Sequence, residues 1–313
     1  MNDLYQQLKN FGHVKNNVAL SKYSTFKVGG PAQFLVEVTE NYQIIKLLNY
    51  LNEYGAEYYI LGSGSNILFP DEGLEKVVIK MQNGNLKMEN ENEIIAEAGV
   101  QLGAVVNLAA KEGLSGMEWA VGIPGTIGGA VRGNAGAMGK ETSNVVSTIK
   151  IWRNGEILDI PKEECSFGYR ESMFKNSTDV ILSATFILTP ADKKDIMASM
   201  QKYLGQRTGR YPHFPSAGSF FKNIDIKNWP GDINKLPEIF RERGKIPVGW
   251  LVEQVEMKGY TVGGAKVSDE HGNFIVNFNN ATKADVLTVV EAVQTKVYNK
   301  FRIALESEVE IVR

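Results

Sequence analysis

The stretch that most constrains this chain is Gly113 to Gly139, GLSGMEWAVGIPGTIGGAVRGNAGAMG, where about one residue in three is glycine and the only charges are Glu118 and Arg132. Glycine at this density lets main chain approach a large ligand closely and present N–H groups to it, because no Cβ intervenes and positive φ is open. The intervening Ile, Val, Ala, Met and Trp residues mark the segment as buried, which separates it from a flexible linker. Glycine content alone allows two readings, a backbone-lined ligand site or a tightly packed cluster of loops.

Common nucleotide motifs do not explain it. Gly62-Ser63-Gly64-Ser65-Asn66 resembles a dinucleotide fingerprint, but the third glycine of that pattern falls on Ile67, so a Rossmann domain is disfavoured. Gly133 to Lys140 imitates a phosphate-binding loop with one residue too many before Gly139-Lys140, and Glu141 stands where Ser or Thr would hold Mg²⁺. The formal net charge of −2 offers no electrostatic case for nucleic acid or an acidic membrane surface, so local groups must meet any anionic ligand. The single cysteine, Cys165, excludes an internal disulfide and reads as a core thiol in a reducing compartment. His13, His213 and His271 have no zinc spacing and no metal is expected. There is no Gly-x-Ser-x-Gly elbow for a serine hydrolase. With neither a signal peptide nor an apolar run near ~18 residues, the expectation is a soluble cytoplasmic protein.

Patterning predicts an α+β chain. A strand follows the turn at Gly29-Gly30-Pro31, and residues 41–54 form a helix stopped by Gly55, with Ile44, Ile45, Leu47, Leu48 and Leu51 apolar. The strand Tyr58 to Leu61 runs into the first glycine loop. Short strands fill 77–100, and a helix over 102–111 ends at Gly113. Asn154-Gly155 marks a hairpin. Strand 180–188 precedes a helix over 191–204 that sets Ile196, Met197, Met200 and Leu204 on one side. Residues 205–216, rich in Gly, Pro and basic side chains, form the best boundary. Beyond it come a surface insertion at 224–245, a helix from Pro247, strands at 258–268 and 274–278, a helix capped by Thr282 with Asp285, and a last strand from Ile303 to Val312.

Seven stretches in order, STFKVGGPA (24–32), LGSGSNIL (61–68), GIPGTIGGAVRGNAGAMG (122–139), FGYRESMFK (167–175), PSAGSFFKN (215–223), KGYTVGGAKVS (258–268) and LESEVEIV (305–312), resemble the UDP-N-acetylenolpyruvoylglucosamine reductase family. The resemblance implies a two-subdomain FAD-binding fold of the vanillyl-alcohol-oxidase type, residues 1–75 and 76–205, plus a C-terminal α+β substrate domain, 206–313. It implies non-covalent FAD, NADPH as hydride donor, UDP-N-acetylglucosamine enolpyruvate as the small-molecule substrate, and a role in peptidoglycan synthesis and hence cell shape and division; the sequence leaves the oligomeric state open, with a monomer the favoured reading. FAD would meet Gly62, Ser63, Gly64, Ser65 and Asn66 in the first loop. In the second it would meet Gly122, Ile123, Pro124, Gly125, Thr126, Gly128, Gly129, Ala130, Asn134, Ala135 and Gly136. Reduction of an enolpyruvyl ether leaves charge that needs a cation or donor and then a proton source. By resemblance Arg170 and Glu308 stabilise the enolate, Ser219 gives the proton, and Lys222, Asn223 and Lys258 bind the sugar nucleotide.

Residue type alone equally allows Arg170 as a surface ion-pair partner, Ser219 as a turn residue and Glu308 as the wet face of an edge strand. At the level of function, another FAD-dependent sugar or lactone oxidase of the same fold and a non-catalytic nucleotide-sugar-binding protein are the alternatives. The chain departs from the family at Ser307, where proline is common, at Ile224, which opens an insertion in place of proline, and at Arg132-Gly133, where an aromatic and a methionine are common. It lacks the extra tyrosine-bearing substrate loop of one branch, so the shorter branch is the match.

Overall fold

The computed structural model describes residues 2–209 and 211–313 and divides into two compact units. The first takes the chain up to Val18, Ala32–Ser63 and Leu74–Arg207; the second takes Ala19–Pro31, Gly64–Gly73 and Thr208–Arg313.

The first unit carries two larger sheets, one of four strands and one of five. Strands His13–Ala19, Pro31–Val38, Leu74–Met81 and Tyr58–Leu61 lie side by side in that order, and the last three are parallel. Parallel strands need a crossover, and helix Asn41–Tyr54 carries the chain from Pro31–Val38 to Tyr58–Leu61, on the two sides of Leu74–Met81. Its buried Ile44, Leu47, Leu48 and Leu51 recur at helical spacing, and Gly55 at φ 72° closes it with a left-handed cap. The second sheet is antiparallel, in the order Glu156–Pro161, Val146–Arg153, Val180–Ile187, Glu93–Glu97, Leu86–Asn90. Its hairpin turns at Asn154 and Gly155, φ 50° and 94°, the doubly positive pair that matches strand twist. Trp119, Phe174 and Phe186 are fully buried in the core of this unit, as is Cys165, whose thiol burial pushes up to about 11.

Helix Lys193–Arg207 buries Ile196 and Met200, but Met197 and Leu204 are 49% and 42% exposed. The expected apolar face is thus wider than the face that packs. Strand His13–Ala19 has no counterpart in the sequence reading, because its HVKNNVA is mostly polar and part-exposed at a sheet edge.

The second unit is an antiparallel sheet, Ser216–Ser219, Phe274–Asn277, Ala265–Val267 and Thr261–Val262, against helix Lys283–Phe301. The Thr282 hydroxyl and the Asp285 carboxylate form a reciprocal capping box. Pro247 sits at the N-cap of helix Val248–Gln254, one place earlier than expected.

Two expectations need correction here. Residues 224–245 are not simply a surface insertion: their ends pair as Ile224–Asp225 with Lys245–Ile246, Leu236 and Ile246 are buried, and Trp229 and Phe240 join an aromatic group with Trp250 and Phe301. The turn formers in this stretch break regular structure without preventing burial. The final strand is also shorter than Ile303 to Val312. Only Glu310–Ile311 is strand, beside Ile67–Leu68, and Ser307 makes a single bridge to Phe221.

Candidate active site

In the first unit the two glycine loops meet. An added Cβ at Gly62 would lie 2.5 Å from the Thr126 hydroxyl oxygen, so only glycine fits there. Ser63 lies 3.2 Å from Gln101, and Gln101 bridges Thr126. The start of helix Ile127–Arg132 is pinned to the preceding strand end, since Ile127 N–H and Gly128 N–H donate to the Val100 and Ala98 carbonyls, both at 2.9 Å. Thr126 caps that helix, accepting from Gly129 N–H. Ile123 N–H is likewise engaged, with the Ala120 carbonyl.

One cation the sequence reading did not include stands beside this joint. Half-buried Lys80, beside Leu61 in the parallel sheet, donates from Nζ to the Gly62 carbonyl. Burial lowers its pKa, and the Glu37 carboxylate works against that shift. Close packing of the glycine loop at Gly62, with a desolvated ammonium at its edge, fits a large anionic cofactor such as FAD. The signal available in sequence was register alone, Lys80 being opposite the residue before Gly62.

Arg170 lies in the same unit, in the left-handed region at φ 59°, rare for a side chain of this size. Gly168 and Glu171 close the turn around it with two mutual backbone bonds of 3.0 Å. Lys175 Nζ donates to the Arg170 carbonyl at 2.6 Å, and Arg170 Nη2 donates to the Gly136 carbonyl at 2.7 Å. The structure therefore brings Arg170 onto the second glycine segment. Arg132, whose role the sequence left unsettled, ends helix Ile127–Arg132, and its carbonyl accepts from the Ser172 hydroxyl at 2.6 Å. Glu118, the other charge in the opening stretch, is buried and accepts from Gly116 N–H at 2.9 Å, a bond within its own loop.

The second unit assembles Ser219, Lys222 and Glu308. Strand Ser216–Ser219 pairs with Phe274–Asn277 through a bulge at Gly218, φ 81°, which leaves Ser219 opposite Phe274. Just beyond, Glu308 N–H donates to the Phe220 carbonyl at 2.8 Å and Lys222 N–H to the Glu306 carbonyl at 2.9 Å, so the two segments run together. Buried Lys222 pairs through Nζ with Glu306, a partner the sequence reading missed. Asn66 from the first loop donates to the Glu308 carbonyl at 3.1 Å and accepts at its own carbonyl from Glu310 N–H at 3.0 Å. Ser219 and Glu308 are both half-buried. Asn223 accepts from Val248 N–H at 3.1 Å, and Lys258 pairs with Glu253 at 3.2 Å on the surface. The loop at 62–66 is divided, Gly62 and Ser63 belonging to the first unit and Gly64, Ser65 and Asn66 to the second. Among the described residues no cluster of His, Cys, Asp or Glu could hold a metal, and no helix is long and apolar enough to cross a membrane.

Comparisons with known proteins bear on this arrangement. An FAD binding domain matches residues 32–160, and the C-terminal domain of UDP-N-acetylenolpyruvoylglucosamine reductase matches residues 210–312. The chain is 37% identical over 304 residues to the UDP-N-acetylenolpyruvoylglucosamine reductase of Carboxydothermus hydrogenoformans, spanning 96% of this chain and 94% of that one. It is 38% identical over 321 residues to that of Bacillus licheniformis, spanning 100% and 99%. The crystal structure of UDP-N-acetylenolpyruvylglucosamine reductase from Thermus caldophilus superposes with a TM-score of 0.80 at 32% identity, covering 96% of this chain and 99% of that one. The fold is the two-subdomain FAD-binding fold of the vanillyl-alcohol-oxidase type with a C-terminal α+β domain, and the chain, an FAD-containing oxidoreductase, belongs to the UDP-N-acetylenolpyruvoylglucosamine reductase family.

Proposed function

We propose that the chain reduces UDP-N-acetylglucosamine enolpyruvate to UDP-N-acetylmuramate for peptidoglycan synthesis, with NADPH as the reductant. Segments 1–75 and 76–205 are the two FAD-binding subdomains, with strand Leu74–Met81 of the parallel sheet crossing the boundary between them, and 206–313 is the substrate domain. FAD, when bound, supplies a hydride drawn from NADPH to the terminal carbon of the enolpyruvyl group. The electron pair left behind spreads from the adjoining carbon into its carboxylate as an enolate. Arg170 meets that charge as a fixed guanidinium, and a protonated Glu308 carboxyl donates a second hydrogen bond. The Ser219 hydroxyl then delivers a proton to the carbon, completing addition of hydride plus proton across the double bond. Lys222, Asn223 and Lys258 bind the diphosphate and uridine.

The observation that carries this reading is the pairing of Phe220 with Glu308 in the second unit, which sets Ser219, Lys222 and Glu308 on adjoining segments. Anaerobic NADPH is expected to bleach the flavin absorbance of the yellow protein, and the enolpyruvyl sugar nucleotide to restore it. Active flavin that stays bleached after the substrate is added would sink the substrate assignment. Ser219→Ala is expected to bleach normally and reoxidise about 10²–10⁴-fold more slowly, the usual worth of a positioned acid. Equal loss of both half-reactions would make Ser219 structural.

A further inference from the structure

Asn134 sits in the glycine-rich segment but is fully buried, and its backbone is left-handed at φ 41°. Its amide is engaged at both ends. Nδ2 donates to the Gly168 carbonyl at 2.8 Å, and Oδ1 accepts from Ser143 N–H at 3.0 Å. Gly168 is the first residue of the turn that holds Arg170, closed by its mutual bonds with Glu171. Two residues after Asn134, the Gly136 carbonyl takes Arg170 Nη2; two residues before, the Arg132 carbonyl takes the Ser172 hydroxyl. Three ties thus join 132, 134 and 136 to 172, 168 and 170. The middle one is contributed by the glycine segment's own side chain and is the one grounded in the core.

We infer that Asn134 is a positioning residue for Arg170: by holding the Gly168 carbonyl it keeps the left-handed turn at the height where the guanidinium reaches Gly136. The inference rests on the reading of Arg170 as enolate stabiliser. A non-glycine residue in this backbone region is strained and persists only where its surroundings enforce it. Asn134 is suited to enforce it because one short side chain carries both a donor for Gly168 and an acceptor for Ser143. With both ends of the amide occupied, its own N–H donating to the Val131 carbonyl at 3.1 Å and no surface exposed, the residue is taken up by the protein. An aliphatic residue here would leave the Gly168 carbonyl and the Ser143 N–H without this partner.

The test has two arms. In protein freed of FAD, hydrogen exchange at the Gly168 and Glu171 amides is read by mass spectrometry or NMR; Asn134→Ala should speed both, and unchanged protection would overturn the inference. In the FAD-loaded enzyme, anaerobic stopped-flow absorbance separates reduction by NADPH from reoxidation by the enolpyruvyl sugar nucleotide. Asn134→Ala should slow reoxidation about 10–100-fold, the scale set by ångström misplacement of a catalytic group, with reduction changed less than about twofold. In an Arg170→Lys background the same substitution should add less than about twofold. Equal slowing of both steps, or none in reoxidation, overturns the inference. If Arg170→Lys itself leaves reoxidation unchanged, the reading of Arg170 fails; if it slows reoxidation and Asn134→Ala does not, only the role of Asn134 fails. Should the alanine variant not fold, Asn134→Asp keeps the shape and the acceptor. Its carboxylate cannot donate to Gly168, whereas its protonated form can, so reoxidation by this variant should recover as pH falls relative to wild type. A flat ratio would overturn the inference.

Discussion

Asparagine does the same work at several points of this chain. Buried Asn83 donates to the Leu182 carbonyl at 3.2 Å and accepts from Gly99 N–H at 3.0 Å; buried Asn273 donates to the Phe221 carbonyl at 2.8 Å and accepts from Phe221 N–H at 3.0 Å. Buried Asn277 donates to the carbonyls of Phe26 and Lys27 and accepts from Ala281 N–H. In each case the side chain satisfies both kinds of backbone group on segments that have no regular ladder to do so. Asn83→Ala leaves the half-buried Gly99 N–H without this partner, while the Leu182 carbonyl keeps the Ala98 N–H at 2.8 Å, so the loss is about 1–3 kcal/mol. Chemical denaturation should therefore show a midpoint shift of that order. A stability within about 0.5 kcal/mol of wild type would show that water replaces the side chain there. Asn83 was not singled out in the sequence, since nothing local tells a buried asparagine from a turn residue.

The element with the clearest local instructions is helix Lys283–Phe301. Thr282 and Asp285 cap it, and Val286, Val289, Val290, Val293 and Val297 are buried along one side. Asp285 also reaches out of the helix, accepting from Gly264 N–H at 3.2 Å. An added Cβ on Gly263, at φ 52°, would lie 2.2 Å from the Asp285 carboxylate, and one on Gly264 would lie 2.2 Å from the Asn279 carbonyl, which together explain the paired glycines of KGYTVGGAKVS. The cap and the turn are thus one feature. Thr282→Ala should cost about 1 kcal/mol and lower the melting temperature by a few degrees, measured by circular dichroism. A larger loss, beyond about 2 kcal/mol, would mean the turn at Gly263 and Gly264 collapses with the cap. By contrast the stretch 224–245 carries no periodicity, and its short helix Glu238–Arg243 and its paired ends follow from closure of the segment on itself.

Over the whole molecule, the shifted carboxylates decide how stability follows pH. The Arg153 hydrogen bonds hold Asp179 below the usual carboxylate range; the Thr282 and Gly264 N–H groups do the same for Asp285, and the Ser268 hydroxyl for Glu270. A group whose pKa is lower in the folded state contributes stability above its unfolded value and loses it as pH falls through the folded one. Glu97 runs the other way: burial raises its pKa, partly offset by Asn85 N–H, so its share is greatest at low pH and lost as pH rises. Asp225, lowered first by the Lys227 N–H, joins the three lowered groups as a fourth. With four such groups against one, the melting temperature should be flat near neutrality and fall as pH drops through the ordinary carboxylate range. A melting temperature unchanged between pH 7 and pH 3 would contradict this balance.

What the sequence determined by itself is what short range controls. Helices ending at Gly55 and Gly113, the hairpin at Asn154-Gly155 and the cap at Thr282 stand where their residues put them, because turn and cap energies are local. The glycine segments were legible as a place where backbone approaches something closely, and their ordered company carried the family. Tertiary structure alone decided which atoms they approach. Gly62 meets Thr126, Lys80 holds the Gly62 carbonyl, Glu306 pairs with Lys222, and Asn134 grips the turn of Arg170. None of these pairs lies within one helix turn or one hairpin, so no periodicity encodes it. They form because a folded interior leaves few buried polar groups without a partner, and which partner is near depends on how the whole chain is packed.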